Sequence, residues 1–78
     1  MVDLIPLNQL QGGASGEVAH LIGGADQIHR LEEMGFRRGT IVEMVSTGSP
    51  CIVKVLGSKF CFRDAQLLSV LVRPEAAQ

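Results

Sequence analysis

The side chains best suited to metal chemistry in this sequence are two histidines and two cysteines, namely His20, His29, Cys51 and Cys61. Imidazole and thiolate groups are common ligands of transition metals, and His20, His29 and Cys61 are the candidate ligands here. No C-x-x-C pair and no group of neighbouring carboxylates accompanies them, although metal sites normally show such spacing. We therefore expect no cofactor and, at most, weak binding of a divalent metal.

Catalytic groups are still harder to find. No serine or cysteine has an identifiable histidine base and orienting acid in the pattern. Glu32 and Glu33 are adjacent in the sequence, so on a helix they point in different directions, which does not suit paired acid–base catalysis. The phosphate-binding pattern G-x-x-x-x-G-K-S/T is absent, so nucleotide hydrolysis is not expected either. The sequence predicts that the protein is not an enzyme.

A second set of candidates surrounds the predicted end of a helix, namely Phe36 and a basic cluster formed by Arg30, Arg37 and Arg38. Gly35 is expected to reverse the chain with a positive φ, so that Phe36 and the two arginines after it project from a short turn. An apolar anchor flanked by arginines is typical of protein interfaces. Two alternatives stay open: the arginines interact with the helix dipole, and Phe36 folds back onto the last helical turn.

These candidates must be positioned by a small sheet, of which one hairpin is the clearest part. The segments CIVKVL and KFCFRD flank Gly57-Ser58, and a Gly-X pair suits a two-residue type II′ turn. In that register Val55 faces Phe60 and Val53 faces Phe62, and these four apolar side chains share one face of the sheet. The pattern predicts that both phenylalanines are buried.

The same register decides the state of the cysteines. It places Cys51 opposite Asp64 on the apolar face, and Cys61 opposite Lys54 on the other face. The Cβ atoms of a disulfide must lie within about 4.5 Å of each other, which this arrangement does not allow. Both cysteines are predicted to be free, as is usual in a reducing cytosol, with Cys51 a small core residue.

The remaining elements follow from apolar periodicity and turn residues. Asp26 is the predicted N-cap of a short helix that ends with Gly35 at the C′ position. The other predicted elements are an edge strand within residues 4–10, strands at 17–22 and 40–46, a helical turn at 64–66, a strand at 67–72 and a loose tail at 73–78. We predict one domain over residues 1–78 with a mainly β fold: a small SH3-like β-barrel of about five short strands with one inserted α-helix.

Charge and composition restrict the partners. The net charge is −1, and the chain has three Phe but no Tyr or Trp. Binding of nucleic acid requires a surplus of basic residues and aromatic groups that stack on bases, so nucleic acid is not expected as a partner. The same shortage of basic and aromatic residues argues against the alternative fold, an oligonucleotide-binding barrel. No apolar stretch approaches the ~20 residues that span a bilayer, and the N-terminus does not resemble a signal peptide. We expect a cytoplasmic protein that is not itself inserted in a membrane.

Across most of its length, the sequence resembles the FeoA family of small cytosolic proteins of bacterial ferrous-iron uptake. The resemblance extends from Leu7 to Val72 and depends on an ordered set of residues, not on any single motif. The matching positions are Leu7, Leu10, Gly13, Gly16, Arg30-Leu31, Met34-Gly35, Gly39-Thr40, Val53, Val55, Gly57, Arg63 and Ala65. Arg38 and Asp64 depart from it, since Pro and Glu are commoner there.

The resemblance implies an SH3-like fold and an accessory role beside FeoB, the membrane ferrous-iron permease with a cytosolic GTP-binding domain. On that basis the expected function is regulation of the permease by protein–protein contact, with recruitment to the inner face of the membrane. Two alternatives stay open. One is a ferrous-iron chaperone, and the other is a detached SH3-like regulatory domain of an iron-dependent repressor.

Overall fold

Residues 3–75, which the computed structural model describes, form a mainly β structure with one α-helix, as predicted. The sheet has six antiparallel strands, where about five were predicted, and the first of them is only two residues long. The strands are β1 (Ile5–Pro6), β2 (Ser15–Leu21), β3 (Ile41–Ser46), β4 (Cys51–Val55), β5 (Ser58–Phe62) and β6 (Val70–Pro74). Helix α1 (Ala25–Glu33) connects β2 to β3, and 3₁₀ helices at Leu7–Gln9 and Asp64–Ser69 precede β2 and β6.

The strand order determines which parts of the sheet are open. The order is β1-β6-β2-β3-β4-β5, so β1 and β5 are the two edges. Pro6 lies in edge strand β1, as predicted, because a residue without an N–H is tolerated at an edge. In the interior, Gly16 of β2 passes so close to β6 that an added Cβ would lie 3.1 Å from Val72 Cβ.

The core forms where the apolar face of the curved sheet meets α1 and the 3₁₀ helices. Alternate residues of β3, β4 and β6 point inward, which explains why each of these strands contributes two or three buried side chains. The buried hydrophobic residues are Leu7, Leu10, Val18, Leu31, Phe36, Val42, Met44, Cys51, Val53, Val55, Phe62, Leu67, Val70 and Val72. None of the described buried residues is polar or charged.

The β4–β5 hairpin differs from the predicted register by two residues. Val55 pairs with Ser58, so the two turn residues are Leu56 and Gly57 rather than Gly57 and Ser58. Their φ values are +51° and +84°, and positive φ at both central residues is typical of a type I′ turn instead of the predicted II′ turn. The type I′ turn matches the twist of the flanking strands, and in this chain that requires a leucine in the left-handed region.

Because the shift is an even number of residues, each side chain stays on its predicted face. Cys51 pairs with Phe62 rather than Asp64, and Cys61 pairs with Ile52 rather than Lys54. Both cysteines are free, Cys51 buried and Cys61 exposed, as predicted. Phe62 is buried as well, but the prediction was wrong for Phe60, which is only half-buried near the hairpin end, where less of the core covers it.

Helix α1 begins one residue earlier than its predicted cap. Gly24, not Asp26, is the N-cap residue, and no side chain caps the helix there. Asp26 lies instead in the first turn, where a carboxylate interacts favourably with the helix dipole. The predicted C′ residue is confirmed, because Gly35 follows the helix with a φ of +107°.

The last strand begins and ends later than predicted. Residues 67–69 belong to a 3₁₀ helix, which buries Leu67, and β6 then runs to Pro74. The first two residues of the predicted tail are therefore in the sheet, where Arg73 and Pro74 pair with Glu17 and Gly16. The Arg73 side chain also donates to Glu17 Oε1 at 3.1 Å. The rest of the predicted tail after residue 75 lies outside the described residues.

Candidate functional site

The turn after α1 has the geometry of a Schellman motif, and this motif decides the position of Phe36. The Gly35 N–H donates to the Glu32 carbonyl oxygen and the Phe36 N–H donates to the Leu31 carbonyl oxygen, both at 3.0 Å. This pair of bonds defines the motif, and a hydrophobic contact between the residue after glycine and the helix usually accompanies it. The motif therefore directs Phe36 toward the core.

Phe36 is fully buried, with 0% of its surface exposed. Its ring meets the Phe62 ring edge to face, with centroids 5.6 Å apart and an interplanar angle of 73°. The prediction that Phe36 projects from the turn as an interface anchor was wrong. The open alternative, in which it folds back on the helix, is the observed one, because the core gains a large apolar side chain.

The basic cluster is dispersed over the surface. Arg30, Arg37 and Arg38 are all exposed, and none of them forms an ion pair with the part of the chain that the structure describes. Arg38 lines one depression beside α1, whereas Arg30 and Arg37 line two adjoining parts of another. The structure thus keeps these arginines available to a partner, but it does not bring them together into one patch.

A small pocket, the β2 pocket, lies between α1 and β2. Its volume is about 170 Å³, and His20, Ile28, Glu32 and Arg38 are among its lining residues. The structure therefore brings together two predicted candidates, His20 and Arg38, that the sequence treated separately. Their neighbour Glu32 supplies a carboxylate, so the pocket carries groups of both charge signs.

A longer depression, the β5 groove, runs between α1 and β5. It consists of two adjoining parts with volumes of about 390 and 410 Å³, which share Met34. Phe62 and Arg30 line the first part, and Phe60 and Arg37 line the second. The groove therefore has an apolar floor with charged side chains at its rim.

The candidate metal ligands lie on separate elements. His20 is on β2, next to a register shift in the β2–β6 pairing, and Cys61 is on β5. His29 lies on α1, and its Nε2 is 3.2 Å from Glu33 Oε2 in a largely exposed pair. Within residues 3–75 no group of three or more His, Cys, Asp and Glu side chains is arranged to hold a metal ion.

Leu56 is a surface feature that the sequence analysis missed. It is 75% exposed, although it is a large apolar residue, and it occupies the first position of the hairpin turn. Its Cδ1 lies over Gly35 at the end of α1, where an added Cβ would come within 2.9 Å. The Leu-Gly pair between the two β-rich segments was the available signal, because a glycine as the second turn residue is typical of type I′ turns.

No helix in residues 3–75 is long and apolar enough to cross a membrane.

The chain is similar to one known protein family and to several solved structures. The family model described as the FeoA domain matches residues 5–74. Among solved structures, the crystal structure of an iron uptake regulatory protein, FeoA, superposes with a TM-score of 0.87 at 25% identity, covering 94% of this chain and 100% of that one. The zinc complex of Stenotrophomonas maltophilia FeoA, described as a prokaryotic SH3 domain protein, has a TM-score of 0.73 at 29% identity, with 87% and 88% of the chains covered.

The fold also occurs as part of a longer protein. The crystal structure of T. acidophilum IdeR superposes with a TM-score of 0.84 at 16% identity, and the match covers 96% of this chain but only 36% of that one. At that identity the likeness concerns the fold alone. A comparison with curated protein sequences gives no significant match.

Proposed function

Because this chain belongs to the FeoA domain family, which is associated with ferrous iron transport, we propose that it is a cytoplasmic accessory protein of bacterial ferrous-iron uptake. It acts by binding the cytosolic, GTP-binding part of a FeoB-type membrane permease, which recruits it to the inner face of the membrane. The observation that carries the proposal is the family match over residues 5–74, which includes every strand and helix described here. The role suggested for Stenotrophomonas maltophilia FeoA, a ferrous iron transport activating factor, supports it.

The surface supports a role in binding rather than catalysis. The described residues offer Arg38 at the β2 pocket, Arg30 and Arg37 at the β5 groove, and an exposed Leu56. Such a mixture of apolar floor and charged rim resembles the anatomy of protein interfaces. The arginines at positions 37 and 38 remain part of the proposed contact with the permease, now as two separate contributions.

The proposal includes no cofactor and no resident metal. His20, His29 and Cys61 lie on three different elements, and ferrous iron normally requires several nitrogen, oxygen or sulfur donors in one place. Weak, adventitious binding of divalent metal at one of these side chains fits the same geometry. A chaperone that carries ferrous iron would need a ligand set of a different kind.

The direct test is a pull-down with the full-length permease in detergent and, separately, with its isolated cytosolic part. We expect the purified protein to be retained by both, more strongly at low salt than at high salt, because exposed charges contribute to the contact. A DNA-binding chain of repressor type serves as the matched alternative bait. Retention by the repressor chain but by neither permease sample would contradict the proposal and favour the detached-domain alternative.

A further inference from the structure

The two edges of the sheet differ in how well they are protected. β1 is two residues long and contains Pro6, and both features are common devices against edge-to-edge pairing. β5 has five residues, Ser58–Phe62, and no proline. Of the strands in the described chain, β4 is its only hydrogen-bonded neighbour. One side of β5 is therefore open.

The pairing with β4 shows which backbone groups are free. Val55 and Ser58 flank the two-residue turn, so they form a hydrogen-bonded pair, and such pairs alternate along an antiparallel ladder. The N–H and C=O groups of Lys59 and Cys61 consequently point away from β4. No other described backbone group bonds to them.

An independent contact supports this direction. Arg63 is the next residue in the alternation, so its N–H also points to the open side. It donates to the Gln66 side-chain oxygen at 2.7 Å. The chain thus closes its own edge at Arg63 and leaves Lys59 and Cys61 unpaired.

The two faces of this edge have different chemistry. On the inner side lies the β5 groove, with half-buried Phe60 and half-buried Met34 in its floor. On the outer side, Lys59 and Arg63 are exposed. Lys54 is directly opposite Lys59, and like charges in that position destabilise a sheet.

We propose that the open edge of β5 binds an extended segment of a protein partner, which adds to the sheet as a seventh strand. Side chains of an added strand alternate between the two faces, so the segment presents apolar groups to the β5 groove and carboxylates to Lys59 and Arg63 on the outer face. The inference rests on the proposed function only in requiring that the partner is a protein.

A second copy of this chain fits the edge less well than an acidic segment. Pairing of two β5 strands would place Lys59 and Arg63 of both copies on the same face, and like charges that are close in a sheet repel each other. An edge lysine is also a common device against self-association. The carboxylates of an acidic segment would instead be attracted to the same lysine.

The test uses a synthetic capped hexapeptide of alternating glutamate and valine, with a lysine–valine peptide as control. Amide NMR titration of the whole protein is expected to shift the Lys59 and Cys61 signals with the acidic peptide only. Cys61→Pro removes one outward N–H and no bond to β4, so affinity should fall about two- to tenfold, the value of one hydrogen bond. Cys61→Ala keeps the N–H and should bind like the parent.

Two further measurements keep the proposal falsifiable if Cys61→Pro does not fold. The acidic peptide can be N-methylated either on its glutamates or on its valines. One of these two peptides should lose binding to the unchanged protein, and the other should keep it. Lys59→Glu should reverse the preference between the acidic and basic peptides. Equal binding of both N-methylated peptides, or signal shifts that avoid β5, would overturn the proposal.

The outcomes also separate this inference from the proposed function. Retention of Cys61→Pro by the permease at the parent's level, together with no binding of the acidic peptide, would overturn the edge site and leave the proposed function intact. Failure of the parent protein to bind the permease, with peptide binding at β5 preserved, would overturn the function and leave the edge site. A parent protein that sediments as a dimer with its Lys59 and Cys61 amides protected would show that a second copy occupies the edge.

Discussion

Replacement of Phe36 by alanine distinguishes a core residue from an interface anchor. Its ring is fully buried and in edge-to-face contact with Phe62. Truncation of a buried phenylalanine costs about 3–5 kcal/mol, and loss of the aromatic pair, worth about 0.5–1.5 kcal/mol, contributes to that cost. A chain of 78 residues is expected to have a free energy of unfolding of about 4–12 kcal/mol. Phe36→Ala should therefore remove a large fraction of the total stability.

The assay is urea unfolding followed by far-UV circular dichroism, because the chain contains no Trp or Tyr to report by fluorescence. Phe36→Leu is the matched control, which keeps an apolar side chain and should lose about half as much stability or less. Phe60→Ala is a second control, because Phe60 is half-buried and its removal exposes less new surface. A double-mutant cycle of Phe36→Ala with Phe62→Ala should give a non-additive term, since the two rings are in contact.

One result would refute this reasoning. If Phe36→Ala unfolded within about 0.5 kcal/mol of the parent, the range of an ordinary surface change, the ring would not be part of the core. Binding of the permease offers a second readout, since the well-folded Phe36→Leu variant should be retained like the parent. If the permease did not retain that variant, Phe36 would have to be a contact residue of the interface.

Four further outcomes are expected. Gly35→Ala should destabilise the protein by about 1–2 kcal/mol in urea melts, because the φ of Gly35 is +107° and an L-residue is strained there. Gly12→Ala is the control and should change stability far less, because a Cβ added there would meet only the Val45 carbonyl oxygen, at 3.8 Å. Leu56→Asn should raise the melting temperature, since asparagine tolerates the left-handed region better and little burial is lost. Arg37→Ala and Arg38→Ala should each leave stability nearly unchanged while weakening retention by the permease at low salt, and equal retention of the double variant would contradict the placement. Anaerobic calorimetry with ferrous iron should show no one-to-one site of micromolar affinity, and a stoichiometric site would favour the chaperone alternative.

Local pattern was sufficient for much of the fold. Alternation along the hairpin segments assigned the inner faces of β4 and β5 correctly, because side chains alternate strictly with the pleat. The helix and its glycine terminator at Gly35 were also predictable, since a positive φ is accessible at low cost only to glycine. The same alternation could not decide the hairpin register, because a shift of two residues leaves every side chain on the same face.

The candidate site depended far more on tertiary structure. The residue types around the end of α1 indicated a binding surface, but the position of Phe36 depended on a cavity formed by residues distant in sequence, such as Phe62. Whether Arg37 and Arg38 form one patch depends likewise on how α1 packs between β2 and β5. The open edge of β5 is a property of strand order alone. Sequence patterns report which face of an element is apolar, whereas the neighbours that cover or expose that element are chosen by the packing of the whole chain.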